Sequence, residues 1–192
     1  IIDENGNEQL KFVTTGSAVN EFQLTNAATG NAPEIAATGG DANIDMNITP
    51  KGIGRATFNG QGKIQSVAEK VTTAAIAATG TIAYDVLTQA VLNYTSDAAA
   101  NWTLNIRGDG SNSLDSIMDT GESITIAHIV KQGSTPYYNS AVQVDGSSIT
   151  PEWSGGSAPS AGNASSLDVY TYTIIKTGSA TFTALASQTQ FA

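Results

Sequence analysis

The stretch Ile124-Thr125-Ile126-Ala127-His128-Ile129-Val130 puts Ile124, Ile126, His128 and Val130 on one side of an extended chain. Period-two alternation of this kind is the mark of a half-buried strand, because successive side chains of a strand point to opposite faces. The same alternation appears upstream in Trp102/Leu104/Ile106 and downstream in Val142/Val144. Asp145-Gly146 follows at once and predicts a tight hairpin turn, with Ile149 beyond it before the break at Pro151. The Gly/Ser/Pro stretch from Ser154 to Ser166 reads as a long loop. Val169–Lys176, a turn at Thr177-Gly178 and Thr181–Ala186 read as a terminal hairpin. About seven or eight strands are thus expected from Thr81 onward, which predicts a C-terminal antiparallel β-sandwich, jelly-roll-like, over residues 81–192.

Composition agrees with an all-β class. Charged residues make up 13% of the 192, against roughly 25% in an average soluble domain, and Gly, Ala, Ser, Thr and Asn take their place. Small polar side chains compete with the backbone for hydrogen bonds, and Gly loses the most conformational entropy in a helix. The formal net charge is −9 and the eight Lys and Arg are scattered. A nucleic-acid partner, which needs clustered cations, is therefore not expected, nor is an anionic membrane surface. No apolar run approaches the ~20 residues of a membrane-spanning helix. Ile1-Ile2-Asp3-Glu4-Asn5 carries no basic n-region, so no signal peptide is read there. The first residue is not Met, which fits an internal fragment boundary. Cysteine is absent, which removes disulfides and thiolate metal sites and fits assembly in a reducing cytosol.

Residues 1–62 read as a series of very short strands at Leu10/Phe12, Phe22/Leu24, Ile44/Met46/Ile48 and Ala56/Phe58. Turn clusters such as Ala28-Thr29-Gly30-Asn31, Thr38-Gly39-Gly40-Asp41 and Pro50-Lys51-Gly52 separate them. Alternation is strictest in Asn43-Ile44-Asp45-Met46-Asn47-Ile48. Each strand offers too little apolar surface to offset its ordering entropy. A shaft in which identical chains share one core resolves this, and a homotrimer is expected; an ordinary meander is the alternative. Residues 63–80 read as a linker or neck passing into a strand, with a short trimeric helix as the alternative, because Val67, Val71 and Ala74/Ala75 also fit helical spacing.

Leu24-Thr25-Asn26-Ala27-Ala28-Thr29-Gly30-Asn31-Ala32-Pro33, Ala37-Thr38-Gly39-Gly40-Asp41-Ala42-Asn43-Ile44 and Ile48-Thr49-Pro50-Lys51-Gly52-Ile53-Gly54 resemble the repeat of fibre-type proteins of tailed phages. The second half resembles terminal domains of structural proteins from phages of marine cyanobacteria. It does so through Asp85-Val86-Leu87-Thr88-Gln89, Asn101-Trp102-Thr103-Leu104-Asn105-Ile106-Arg107-Gly108, Val142-Gln143-Val144-Asp145-Gly146-Ser147-Ser148 and Tyr170-Thr171-Tyr172-Thr173-Ile174-Ile175-Lys176-Thr177-Gly178. The resemblance implies a trimeric virion structural protein at the tail, baseplate or capsid surface, joined to other virion proteins through its N-terminal segment. It carries over no catalytic residue. A single copy of the repeat favours a short fibre, a head fibre or a fragment over a long fibre.

Little catalytic chemistry is offered. His128 is the only histidine and lies on the face expected to be core, so no histidine metal cluster can form and a structural role is expected. Asp109-Gly110-Ser111-Asn112-Ser113-Leu114-Asp115 resembles a calcium loop, but Leu114 stands where Gly is required and Thr120 where an acid is required. A solvated turn is the better reading, and no metal or cofactor is expected. Paired carboxylates of a depolymerase remain the enzymatic alternative, although the chain is short for the deep groove such enzymes use. Tyr137, Tyr138 and Trp153 adjoin Gly/Ser/Pro loops, and aromatics beside small polar residues suit receptor binding, to a host surface glycan or protein. The competing reading tucks them onto the core. Two functions stay open: fibre-like host attachment, or a purely structural head fibre, decoration or baseplate protein.

Overall fold

A computed structural model describes residues 1–192. The chain divides into two compact units, Ile1–Phe58 and Asn59–Ala192. It is mostly β, with 40% strand and only 4% helix, so the expected absence of extended helices holds.

The first unit contains one antiparallel hairpin, β1 (Asn20–Thr25) paired with β2 (Glu34–Gly39), and an isolated bridge between Ile2 and Glu8. Asn20 and Asp41 tie the base of the hairpin through a 2.7 Å side-chain hydrogen bond. The short strands expected at Leu10/Phe12, Ile44/Met46/Ile48 and Ala56/Phe58 are not formed. The reason is general: alternation selects a face, but a strand exists only where a neighbour takes up its backbone hydrogen bonds. No residue of this unit is buried, and Phe12, Phe22, Leu24, Ile48 and Phe58 are each more than 60% exposed.

The second unit holds the core. Its strands are β3 (Val71–Ala74), β4 (Gly80–Asp85), β5 (Val91–Tyr94), β6 (Trp102–Arg107), β7 (Ser123–Lys131), β8 (Asn139–Val144), β9 (Ser147–Ile149), β10 (Glu152–Trp153), β11 (Leu167–Gly178) and β12 (Thr181–Phe191). They form a six-stranded sheet, β10-β12-β11-β7-β5-β3, and a four-stranded sheet, β4-β6-β8-β9. The sheets face each other across one core. Trp102 of the smaller sheet meets the rings of His128 and Tyr170 of the larger, at centroid separations of 6.0 and 5.4 Å.

The expected antiparallel, jelly-roll-like arrangement is corrected here: both sheets are mixed. From β3 to β8 the chain alternates between the sheets, with β3, β5 and β7 in one and β4, β6 and β8 in the other. Each return to a sheet runs in the same direction, so β3-β5-β7 and β4-β6-β8 are parallel. The result is a two-faced coil whose inward residues stack in register, Ile82 on Leu104 on Val142 and Tyr84 on Ile106 on Val144. The segment 63–80 read as a linker contains β3, an edge strand, reaches the first residue of β4, and shows no helix.

Only after β8 does the chain turn back on itself. Asp145 and Gly146 both have positive φ (51° and 79°), the mirror-image turn that a two-residue hairpin prefers, and β8 pairs antiparallel with β9. Asp145 also accepts hydrogen bonds from the amides of Leu114 and Asp115, capping the single-turn helix α1 (Leu114–Ile117) from outside its own segment. The terminal hairpin β11–β12 is present, but it turns at Ser179-Ala180, two residues beyond the expected Thr177-Gly178.

Candidate functional site: the Trp153 cleft

Pairing of β9 with β8 ends at Ile149 opposite Val142. Pro151 has no N–H with which to continue a ladder, so the chain leaves the smaller sheet there. It crosses to the edge of the larger sheet, where β10 pairs parallel with β12 and Trp153 lies opposite Ala186. Trp153 is half-buried, with its ring edge-on to Tyr172 at 6.1 Å. A cleft of about 230 Å³ opens between the start of β8 and this crossing, bounded by Ser140, Thr150, Pro151, Trp153, Ala158 and Pro159. No ionisable residue lines it. Below it, Asn139 accepts a 2.9 Å hydrogen bond from the Tyr172 hydroxyl and donates to the carbonyls of Trp102 and Ala141, which fixes the floor.

Of the three aromatic residues expected to bind a receptor, only Trp153 lines this cleft. Tyr137 is half-buried against the core, and its backbone N–H and carbonyl are both held by the side-chain amide of Gln132. Tyr138 is half-buried as well, donating its N–H to Asn101 Oδ1. Sequence reasoning missed Pro159, Thr150 and Ser140 as parts of the site. The signal was an aromatic between two prolines, Pro151 and Pro159, but sequence does not say that a loop folds back over its own strand.

The other sequence candidates take structural places. His128 is fully buried between the rings of Tyr94 and Trp102, and neither ring nitrogen finds a hydrogen-bond partner within the chain. Burial alone drives its pKa down to about 3. Asp109 accepts from the amides of Ser111 and Asn112, which holds its carboxyl below the usual range. Asp115 is held low chiefly by Lys176, whose ammonium lies 2.7 Å away. The two acids of the calcium-like loop are thus engaged by protein donors. A second, polar hollow of about 320 Å³ lies beside Arg107, Asp109 and Asp145, but these charges are committed to Asp85, to the loop's own amides and to the start of α1.

Comparison with known proteins finds no protein family, no curated protein and no solved structure that matches this chain.

Proposed function

We propose that this chain is a fibre-like structural protein of a tailed-phage virion, trimeric through its N-terminal unit and displaying its β-sandwich for attachment to the host surface. One observation carries the reading: the first unit buries no side chain of its own, whereas the second closes a complete core. Exposed Phe, Leu and Ile side chains in this number are surface that proteins tend to cover in an assembly. Rotational symmetry around an axis hides such surface among identical chains, and the open edges of β1 and β2 are available to pair at the same time. The resemblance of residues 24–54 to the fibre repeat supports the same reading, with the N-terminal unit also meeting other virion proteins. Trp153 is the attachment residue in this reading. Tyr137 packs against the core.

Light scattering on the full chain tests the assembly: the expected mass is three times the monomer's. A monomer at micromolar concentration whose Phe12, Phe22 and Ile48 are nonetheless shielded from solvent would overturn it. Labelling the protein on intact particles separates the attachment role from that of a head fibre, decoration or baseplate part. The expected position is a distal one.

A further inference from the structure

We propose that the Trp153 cleft is a subsite for one neutral pyranose ring of a surface glycan; the inference rests on the attachment reading and names its ligand class. Size comes first. At about 230 Å³ the cleft is smaller than the roughly 300–1,000 Å³ that encloses a drug-sized ligand, and it suits a single ring.

Chemistry comes second. The indole of Trp153 and the rings of Pro151 and Pro159 supply flat apolar surface for the C–H face of a sugar. The Ser140 hydroxyl donates to the Trp102 carbonyl, so its lone pairs remain to accept from a sugar hydroxyl. The Thr150 hydroxyl is solvent-exposed and makes no hydrogen bond within the chain. Sugar hydroxyls both donate and accept, which matches this pair.

Charge comes third. The lining holds no cation to recognise a uronic acid, sulfate or phosphate, and no carboxylate to recognise an amine. The chain's net charge of −9 further disfavours an anionic ligand. The position is firm as well: β8 and Tyr172 support the floor, and Trp153 is pinned by pairing with β12, so little ordering is left for the ligand to drive.

The test is saturation-transfer NMR on the full chain with glucose, galactose, mannose and N-acetylglucosamine as separate probes. At least one should receive saturation at its ring C–H protons, with the millimolar dissociation constant ordinary for so small a ligand. Trp153→Ala should weaken that binding roughly tenfold or more, since a stacked aromatic face is lost. Ala158→Phe should abolish it by filling the cleft while leaving Trp153 on Tyr172, and an unchanged melting temperature would show that the fold is kept. Absence of transfer for all four probes, or transfer unchanged in both variants, would overturn the sugar subsite. Attachment is read separately, as binding of the labelled chain to marine cyanobacterial cells. If Trp153→Ala lowers cell binding while no sugar binds, the attachment reading stands and the glycan inference falls. If sugar binds at Trp153 but cell binding is unaffected by the variant, the subsite stands and attachment through it falls.

Discussion

His128 shows what a core position does to a titratable side chain. Sequence placed it on the buried face by alternation alone, and the structure wedges it between Tyr94 and Trp102 without a hydrogen-bond partner. Its pKa falls to about 3 in the fold, so the native state refuses a proton that the unfolded chain takes up below about 6.5. The resulting stability is complete above pH ~6.5 and is lost as pH falls towards 3. At pH 5 the loss should be about 2 kcal/mol relative to pH 7, read from urea melts at both values. His128→Leu should remove that loss. A variant that shows the same slope would mean that other groups govern the acid transition. Asp168 runs the opposite way. It is fully buried, one carboxylate oxygen lacks a partner, and burial raises its pKa despite hydrogen bonds from the Asn163 N–H and the side-chain amide of Gln132. Its contribution is therefore best below the usual carboxylate range and is lost as pH rises through the raised value. Asp168→Asn keeps an acceptor for both donors and removes the buried charge. It should raise the melting temperature at pH 7, with the gain vanishing near pH 3. Neither the missing partners nor the burial of Asp168 was legible in sequence, because both depend on which loops close over β11. Gly162 is part of that closure: a Cβ there would lie 2.2 Å from the Tyr137 carbonyl oxygen.

At the scale of elements, alternation told which side chains face inward and failed to tell which strands are neighbours. Trp102, Leu104 and Ile106 are all buried as the pattern requires. The parallel pairing of β6 with β4 and β8 leaves no trace in that pattern, because an inward residue looks the same whichever strand lies beside it. Connections are the missing information: a chain that crosses between sheets at every strand produces parallel neighbours, and hairpin signals such as Asp145-Gly146 mark only the exceptions. The helix α1 escaped notice for a related reason. Its local cap, Ser113, is reinforced by Asp145 from a distant turn and by Lys176 from β11, whose ammonium bonds the carbonyls of Asp115 and Met118 at 2.5 and 2.9 Å. Lys176→Met would leave those carbonyls and the Asp115 carboxylate without their cation. The expected result is a lower stability, because Lys176 is buried while Asp115 is about one-third exposed and partly screened by water. Chemical denaturation measures it, and a cost near zero would show that water replaces the ammonium at no penalty. The same engagement of Asp109 and Asp115 predicts that EDTA leaves the melting temperature unchanged. A fall of many degrees, reversed by calcium, would show the loop to be a metal site.

At the scale of the whole molecule the two units pose different physical problems. Asn59–Ala192 closes a core over Tyr84, Trp102, Leu104, Ile106, Tyr170 and Tyr172, each with 1% exposure or less. Ile1–Phe58 has its strictest alternation at Asn43–Ile48, and no strand there at all, with Met46 and Ile48 exposed at 41% and 65%. Sequence legibly marked that segment as apolar on one face. It left open what covers the face, because alternation within one strand carries no information about its neighbours. If identical copies cover it, removal of the first unit separates assembly from folding. A chain beginning at Asn59 should keep its β-rich circular dichroism and a cooperative melt, since the core is complete without the first unit, yet lose the threefold mass. Replacing Ile44, Met46 and Ile48 together by Ser in the full chain should weaken assembly in the same direction while the second unit melts as before. The comparison is decisive through its two readouts, mass by light scattering and melting by circular dichroism. Were the shortened chain to remain trimeric, the second unit would carry the contacts and the shared-core shaft would be refuted. Were it to unfold, the independence of the two units would be refuted instead.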